Sequence, residues 1–146
     1  MRCEWAQGME EYHDKEWGVP VHDDKKLFEM LILEGAQAGL SWSTILKRRK
    51  TYNKAFDNFN PNKIIKYNDK DFKRLMNDKG IIRNKLKIQA TIINANKFLE
   101  IQKEFGSFDK YIWSFVNYKP IKNKIKNLKE LQWIVFTITL YAGTIL

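Results

Sequence analysis

The sequence predicts an all-α single domain, and three observations support this fold class. Apolar residues recur at helical spacing along most of the chain. No alternation of strand and helix patterns and no internal repeat interrupts that spacing. A length of 146 residues fits one domain, and a domain of this size buries roughly two-thirds of the surface of its unfolded chain. The core therefore needs neither a disulfide nor a metal ion.

The first long helix is predicted from one stripe of its surface. The residues at positions i, i+3, i+4 and i+7 of this face are Leu27, Met30, Leu31 and Glu34. Asp23 or Asp24 is the expected N-cap, and Gly35 and Gly39 are expected to close the helix. Ser41 can then cap a second helix, so that a glycine-containing corner joins the two.

Further helical segments follow this corner. The expected N-caps of the shorter segments are Asn60, Asn68 or Asp69, and Ser107. The longest segment, 84–104, places one apolar stripe on one face, made of Ile88, Ile92, Ala95 and Leu99. Gly80 and Gly106 are expected to end the helices that precede them.

The C-terminal end has a different composition. Residues 133–146 are rich in Ile, Thr, Val and Phe, which favours a strand or an aggregation-prone segment over an amphipathic helix. We therefore predict a helical domain over 1–130 and an atypical tail over 131–146. The longest apolar run, 133–142, is far shorter than the roughly 20 residues that a membrane-spanning helix needs, so no membrane anchor is expected.

Charge and cysteine content indicate the partner and the compartment. The formal net charge of +9 favours a polyanion as the partner, with nucleic acid ahead of an acidic membrane surface. The alternative is that the lysines only line solvated helix faces. Cys3 is the single cysteine, and no apolar signal segment is present at the N-terminus, so a cytoplasmic protein is expected.

Glu34 is the most informative residue, because a carboxylate on an apolar stripe is costly to bury without a partner or a purpose. Periodicity alone leaves two interpretations open: a carboxylate satisfied by a backbone amide or a lysine, or a group for recognition or acid/base chemistry. Aromatic residues in the loop 12–20, with Trp5 upstream and Trp42 beyond the corner, could sandwich a planar cationic base. Taken singly, each ring also fits a core.

Residues 77–85 contain a helix end, a glycine turn, an apolar pair and the start of a new helix. Backbone amides at such a turn could point outward together and hold one DNA phosphate without reading sequence. The alternative is an ordinary helix hairpin packed by Ile81 and Ile82. Phosphate contact is favoured by the basic residues that follow, Arg83, Lys85 and Lys87.

Cys3 and His13 lie ten residues apart, and a thiolate with an imidazole could begin a zinc site. His22 is the only other histidine, so a site with four ligands would need a carboxylate or a partner chain. A small buried thiol and a hydrogen-bonded core histidine are the alternative interpretation.

Four segments of the sequence form recognisable motifs: 12–20 (YHDKEWGVP), 33–42 (LEGAQAGLSW), 80–85 (GIIRNK) and 113–117 (WSFVN). Together they closely resemble the DNA-3-methyladenine glycosylase I family. The resemblance extends roughly over 1–128 and implies a helix-hairpin-helix DNA glycosylase-like domain whose C-terminal end is incomplete. Such an enzyme flips an alkylated adenine out of duplex DNA and hydrolyses its N-glycosidic bond.

The resemblance also implies roles for individual residues. Glu34 matches the carboxylate that recognises the base edge, Tyr12 and Trp42 match the rings that line the pocket, and Trp5 and Gln37 fall at neighbouring base-binding positions. The hairpin match assigns DNA binding to Gly80, Ile82, Arg83, Asn84 and Lys85. Double-stranded alkylated DNA is the implied partner, free 3-methyladenine is the implied product, and a monomer is expected.

The family's zinc site is matched only in part. Cys3 and His13 match two family ligands, whereas the other two, a His and a Cys of the C-terminal segment, have no counterpart after Leu128. No lysine is marked out as a Schiff-base nucleophile, so a monofunctional enzyme is expected. The alternative is a catalytically impaired, DNA-binding remnant of the same family.

Overall fold

The computed structural model describes residues 2–120, and this part of the chain forms helices and loops. The all-α prediction is confirmed. The α-helices are α1 (Glu10–Lys15), α2 (Asp24–Gln37), α3 (Trp42–Leu46), α4 (Arg49–Ala55), α5 (Pro61–Ile64), α6 (Asp69–Asn77), α7 (Lys85–Phe105) and α8 (Phe108–Ser114). The predicted tail, 131–146, and the boundary at residue 130 lie outside the described residues. Within 2–120, no helix is long and apolar enough to cross a membrane.

Side-chain caps begin most of the helices, and each of these caps except Asn84 was predicted from the sequence. The caps with a hydrogen-bonded side chain are Asp23, Ser41, Asn60, Asn68, Asn84 and Ser107. Asp24, the alternative cap of α2, instead accepts hydrogen bonds from the backbone N–H groups of Phe108 and Asp109 at 2.9 and 2.7 Å. This carboxylate therefore joins the start of α8 to the start of α2.

The buried face of α2 is not the predicted stripe. Its buried residues are Phe28, Ile32, Leu33 and Ala36, whereas Leu27 and Leu31 are only half-buried. Both neighbouring stripes are apolar, so periodicity could not decide which one faces the core. The choice is made by tertiary packing, in which α2 contacts α3, α7 and α8.

Helix α7 is the central element of the domain. It contacts α2, α5, α6 and α8, and its buried residues include Ile88 and Ala95 of the predicted stripe. Phe98 contacts Phe28 and Phe108, with ring centroids 4.8 and 4.3 Å apart. Because α7 starts directly after the glycine turn, the predicted DNA-binding hairpin is attached to the core.

Candidate functional site

Tyr12 and Trp42 lie together, as the sequence predicted. Their ring centroids are 5.5 Å apart, the planes are inclined by 60°, and both residues are half-buried. Tyr12 lies on α1, so the segment predicted as an aromatic loop is partly helical. Trp42 is the first residue of α3, whose start is fixed by the hydroxyl of Ser41 accepting from the N–H of Thr44 at 3.2 Å.

Glu34 interacts with Tyr12 but is not buried, which corrects the expectation of an inward-facing carboxylate. It is exposed on α2 because it belongs to the half-buried stripe. Burial raises the pKa of the Tyr12 phenol, and the negative charge of Glu34 raises it further, so the two groups interact electrostatically. Surrounding protein desolvates the carboxyl group and raises the pKa of Glu34, without a charged partner or hydrogen bond from residues 2–120.

Trp42 provides a second polar group at this place. Its indole N–H is buried and makes no well-formed hydrogen bond within the described part of the chain, and its only polar interaction there is a weak one with the Tyr12 hydroxyl, which lowers the pKa of that phenol. A buried donor without an acceptor costs about 1–3 kcal/mol. The pair of rings is therefore accompanied, among the described residues, by an acceptor without a partner, Glu34, and by a weakly engaged donor, the indole N–H of Trp42, and this combination suits a flat ligand with polar edges.

The remaining predicted base-binding residues, Gln37 and Trp5, have different surroundings. Gln37 is half-buried at the C-terminal end of α2, three residues after Glu34 and on the same side of the helix. Trp5 instead packs against His13 and Trp17, with ring centroids 5.1 Å apart in each case. A base-binding role for Trp5 stays a prediction.

The sequence analysis missed an ion-pair network that fixes α1 beside α2. Arg49 donates to Glu29 at 2.7 Å and to Glu16, just after α1, at 2.8 Å. Lys26 approaches the same two carboxylates at 3.2 and 2.8 Å. Hydrogen bonds from Arg49 lower the pKa of Glu16 to about 2. This network holds the segment that carries Tyr12.

The hairpin is present, but several of its amides are used inside the protein, which corrects the outward orientation expected for them. The N–H of Gly80 donates to the Asp78 carboxylate at 2.7 Å, and that of Ile82 donates to the Tyr52 hydroxyl at 3.0 Å. The N–H of Asn84 donates to the Ile82 carbonyl at 2.8 Å. The side chains of Arg83 and Lys85, in contrast, are exposed.

A concave surface beside the hairpin carries further positive charge. It is lined by Arg48, Met76, Lys79, Ile81, Ile82 and Arg83. Arg48 and Lys79 were not among the predicted site residues: Lys79 lies inside the hairpin segment but was not assigned a role, and Arg48 belongs to a distant segment that only the fold brings beside it. Three cations around one concavity suit a polyanionic backbone.

We expect Gly80→Ala to destabilise the domain, because a Cβ atom at this position would lie 2.8 Å from the Cβ of Thr51. The hairpin would have to move away from α4, and overpacking of this kind costs about 1–3 kcal/mol. Urea unfolding measures this loss. Lys79→Ala, at the neighbouring exposed residue, is the control, and an equal unfolding midpoint for both variants would contradict the predicted close approach.

Cys3 and His13 are adjacent, yet they do not complete a zinc site. The N–H of Cys3 donates to Nε2 of His13 at 3.4 Å, and Nδ1 of His13 lies 2.9 Å from Asp14. Cys3 is exposed, so the expectation of a buried thiol was wrong. Residues 2–120 contain no group of three or more metal-ligating side chains, and His22 is paired with Asp109 at 2.8 Å. These residues do not fit a closed site with four ligands.

Comparisons with known proteins agree with this arrangement. Residues 2–136 match the family model for methyladenine glycosylase. The DNA-3-methyladenine glycosylase of Haemophilus influenzae is 45% identical over 133 residues, which cover 89% of this chain and 72% of that protein. A crystal structure of 3-methyladenine DNA glycosylase I is 44% identical, with a TM-score of 0.83, over 89% of this chain and 73% of that one.

A second crystal structure, of a variant of 3-methyladenine DNA glycosylase I, contains bound 3-methyladenine. It is 39% identical, with a TM-score of 0.79, over 82% of this chain and 64% of that one. The family match spans the aromatic pair, the α2 carboxylate and the hairpin together. The chain therefore belongs to the methyladenine glycosylase family.

Proposed function

We propose that this protein is a monofunctional DNA glycosylase that releases 3-methyladenine from alkylated double-stranded DNA. The observation that supports this most strongly is the contact between the rings of Tyr12 and Trp42, together with a carboxylate on α2, Glu34, that has no partner within residues 2–120 and whose charge acts on Tyr12. A related enzyme with 3-methyladenine bound supports the identity of the ligand.

The chemistry of the methylated base explains how so few protein groups can catalyse its release. Methylation at N3 makes adenine a cation, so the base leaves as a neutral molecule when its bond to C1′ breaks and the bonding electrons move to N9. A water oxygen then bonds to C1′ and releases a proton to solvent. No strong general acid is needed, and binding the cationic base in an extruded position provides most of the catalysis.

Selectivity for the methylated base comes from charge. The Glu34 carboxylate attracts a cationic base and can accept a charge-assisted hydrogen bond from its edge. The electron-rich faces of Tyr12 and Trp42 also favour a cation over neutral adenine. The indole N–H of Trp42 offers a donor to an acceptor atom of the base. Neutral adenine would lose the two charge-dependent contributions.

DNA binding is assigned to the hairpin and the concave surface beside it. Arg83 and Lys85 are exposed where α7 begins, and Arg48 and Lys79 extend the positive surface. One copy of the chain supplies both the pocket and this surface, so we propose that it acts as a monomer. A reducing, cytoplasmic location fits the single free cysteine, Cys3.

The decisive experiment incubates the purified full chain with methylated duplex DNA. Chromatography measures released 3-methyladenine, and cleavage of abasic sites on a gel measures the matching change in the DNA. We expect both signals to appear in equal amounts, without strand cleavage by the protein itself. A chain that retards DNA but releases no base would contradict the proposal and identify a DNA-binding remnant.

For zinc, we propose that Cys3 and His13 form a weak site with two protein ligands. Two ligands leave the remaining positions to water, so the metal should exchange readily. We expect dialysis against a chelator to remove zinc from the protein without unfolding it, as measured by elemental analysis and circular dichroism. Zinc that stays at one atom per chain, and that Cys3→Ser removes, would contradict this expectation.

A further inference from the structure

Lys87 differs from the other basic residues that follow the hairpin, because its ammonium group is engaged inside the protein. Its Nζ donates to the backbone carbonyls of Ala36 and Ala38, both at 2.7 Å. Its own N–H donates to the side chain of Asn84, the N-cap of α7, at 3.1 Å. Lys87 is half-buried, whereas Lys85 is exposed. The lysine is therefore fixed at both its backbone and its ammonium end.

The two carbonyls belong to the C-terminal end of α2. Carbonyls at such an end lack helical partners and carry partial negative charge, which an ammonium group neutralises well. Ala36 and Ala38 flank Gln37, and they lie in sequence between Glu34 and Trp42. The contact thus holds the corner that links the candidate pocket residues of α2 and α3.

We propose that Lys87 is a positioning residue that couples the DNA-binding hairpin to the base pocket, and that it does not contact DNA phosphate. The inference rests on the proposed function of the pocket. It differs from the sequence interpretation, in which Lys87 belonged with Arg83 and Lys85. Without the ammonium group, the α2 corner would lose its connection to the first turn of α7, and the pocket would lose its alignment with the extruded base.

Salt dependence separates positioning from phosphate contact. Each phosphate that a protein neutralises contributes about 0.9 to the slope of log K against log salt concentration for duplex DNA. A lysine that contacts phosphate therefore lowers this slope when it is replaced, whereas an internal lysine does not. Lys85→Met is the matched comparison. It removes the same charge from the same helix, two residues before Lys87, but at an exposed position.

The experiment uses the full chain and the variants Lys87→Met, Lys87→Arg and Lys85→Met. Fluorescence anisotropy with duplex DNA gives the salt slopes, and calorimetry gives the affinity for free 3-methyladenine. For Lys87→Met we expect an unchanged slope, weaker binding of the free base, and single-turnover base release slowed by about 10- to 100-fold, the effect of small misplacements in a site. Lys87→Arg, which keeps the charge and the donors, should restore most of the rate.

Two results would overturn the role of Lys87: a slope reduced by about 0.9 in Lys87→Met, as for a lost phosphate contact, or unchanged affinity for the free base. If Lys87→Met fails to fold, Lys87→Gln is measured with the same two criteria. Neither readout needs turnover. A wild-type chain that releases no base would therefore refute the proposed function separately from the inference on Lys87.

Discussion

Glu34→Gln is expected to weaken both the binding of free 3-methyladenine and its release from DNA by roughly 10- to 150-fold. The substitution keeps the shape of the side chain but removes its negative charge, so the cationic base in DNA loses an opposite charge and the neutral free base loses a hydrogen bond to a charged acceptor. Hydrogen bonds to charged groups contribute about 1.5–3 kcal/mol, which corresponds to this range. Calorimetry with the free base and single-turnover excision measure the two effects separately.

Glu100→Gln is the matched control for this prediction. Glu100 is exposed on α7 and pairs only with Lys97 within residues 2–120, and its replacement changes the net charge by the same amount. Both variants should therefore gain the same nonspecific affinity for DNA. Equal excision rates for Glu34→Gln and Glu100→Gln would exclude Glu34 from base recognition.

The pH dependence of binding provides an independent check on Glu34. Desolvation raises the pKa of its carboxyl group above the ordinary value of 4.5, so binding of the base should weaken as the pH falls through that raised pKa. A raised pKa in the folded state means that protonated Glu34 favours folding: this contribution is present below 4.5 and is lost as the pH rises. As the pH falls, protonation of Glu34 should therefore weaken base binding before the protein unfolds. The Glu34→Gln variant should not show this pH-dependent weakening of binding.

Most helix starts were predictable from sequence because they are set by local chemistry, whereas Gly35, which was expected to close α2, lies inside that helix. A capping side chain reaches an amide only two or three residues away, as Ser41, Asn84 and Ser107 do. The buried face of α2 was not predictable, because both of its stripes are apolar and only packing against α7 distinguishes them. Glu34 was consequently placed in the core, although it lies at the surface.

The residues of the candidate site also differ in how far sequence could predict them. Tyr12, Glu34 and Trp42 were found because they lie in motifs that resemble a known family. Arg49 carried no comparable signal, since its partners are 20 and 33 residues away and no periodicity relates them. The internal role of Lys87 depends on carbonyls about 50 residues away. Charged residues that act over such separations are identified only once the fold is known.

Arg49→Met is expected to cause the largest loss of stability among these variants. Arg49 and Glu29 are only 19% and 14% exposed as side chains, and removing the guanidinium would leave Glu29 and Glu16 without their main partner. Breaking a buried ion pair on one side costs about 3–5 kcal/mol, which is the upper limit here because Lys26 remains. Urea unfolding measures the loss, and Lys97→Met, which breaks an exposed pair, should cost less than about 1 kcal/mol.

The pH dependence of stability distinguishes this ion-pair loss from a simple packing defect. Arg49 lowers the pKa of Glu16 from 4.5 to about 2, so the pair stabilises the fold above pH 4.5, and this contribution disappears as the pH falls toward 2. The difference in unfolding free energy between wild type and Arg49→Met should therefore shrink over that window. A difference that stays constant from pH 7 to pH 3 would mean that Arg49 acts by packing alone. In that case the network could not be what holds Tyr12 beside Trp42.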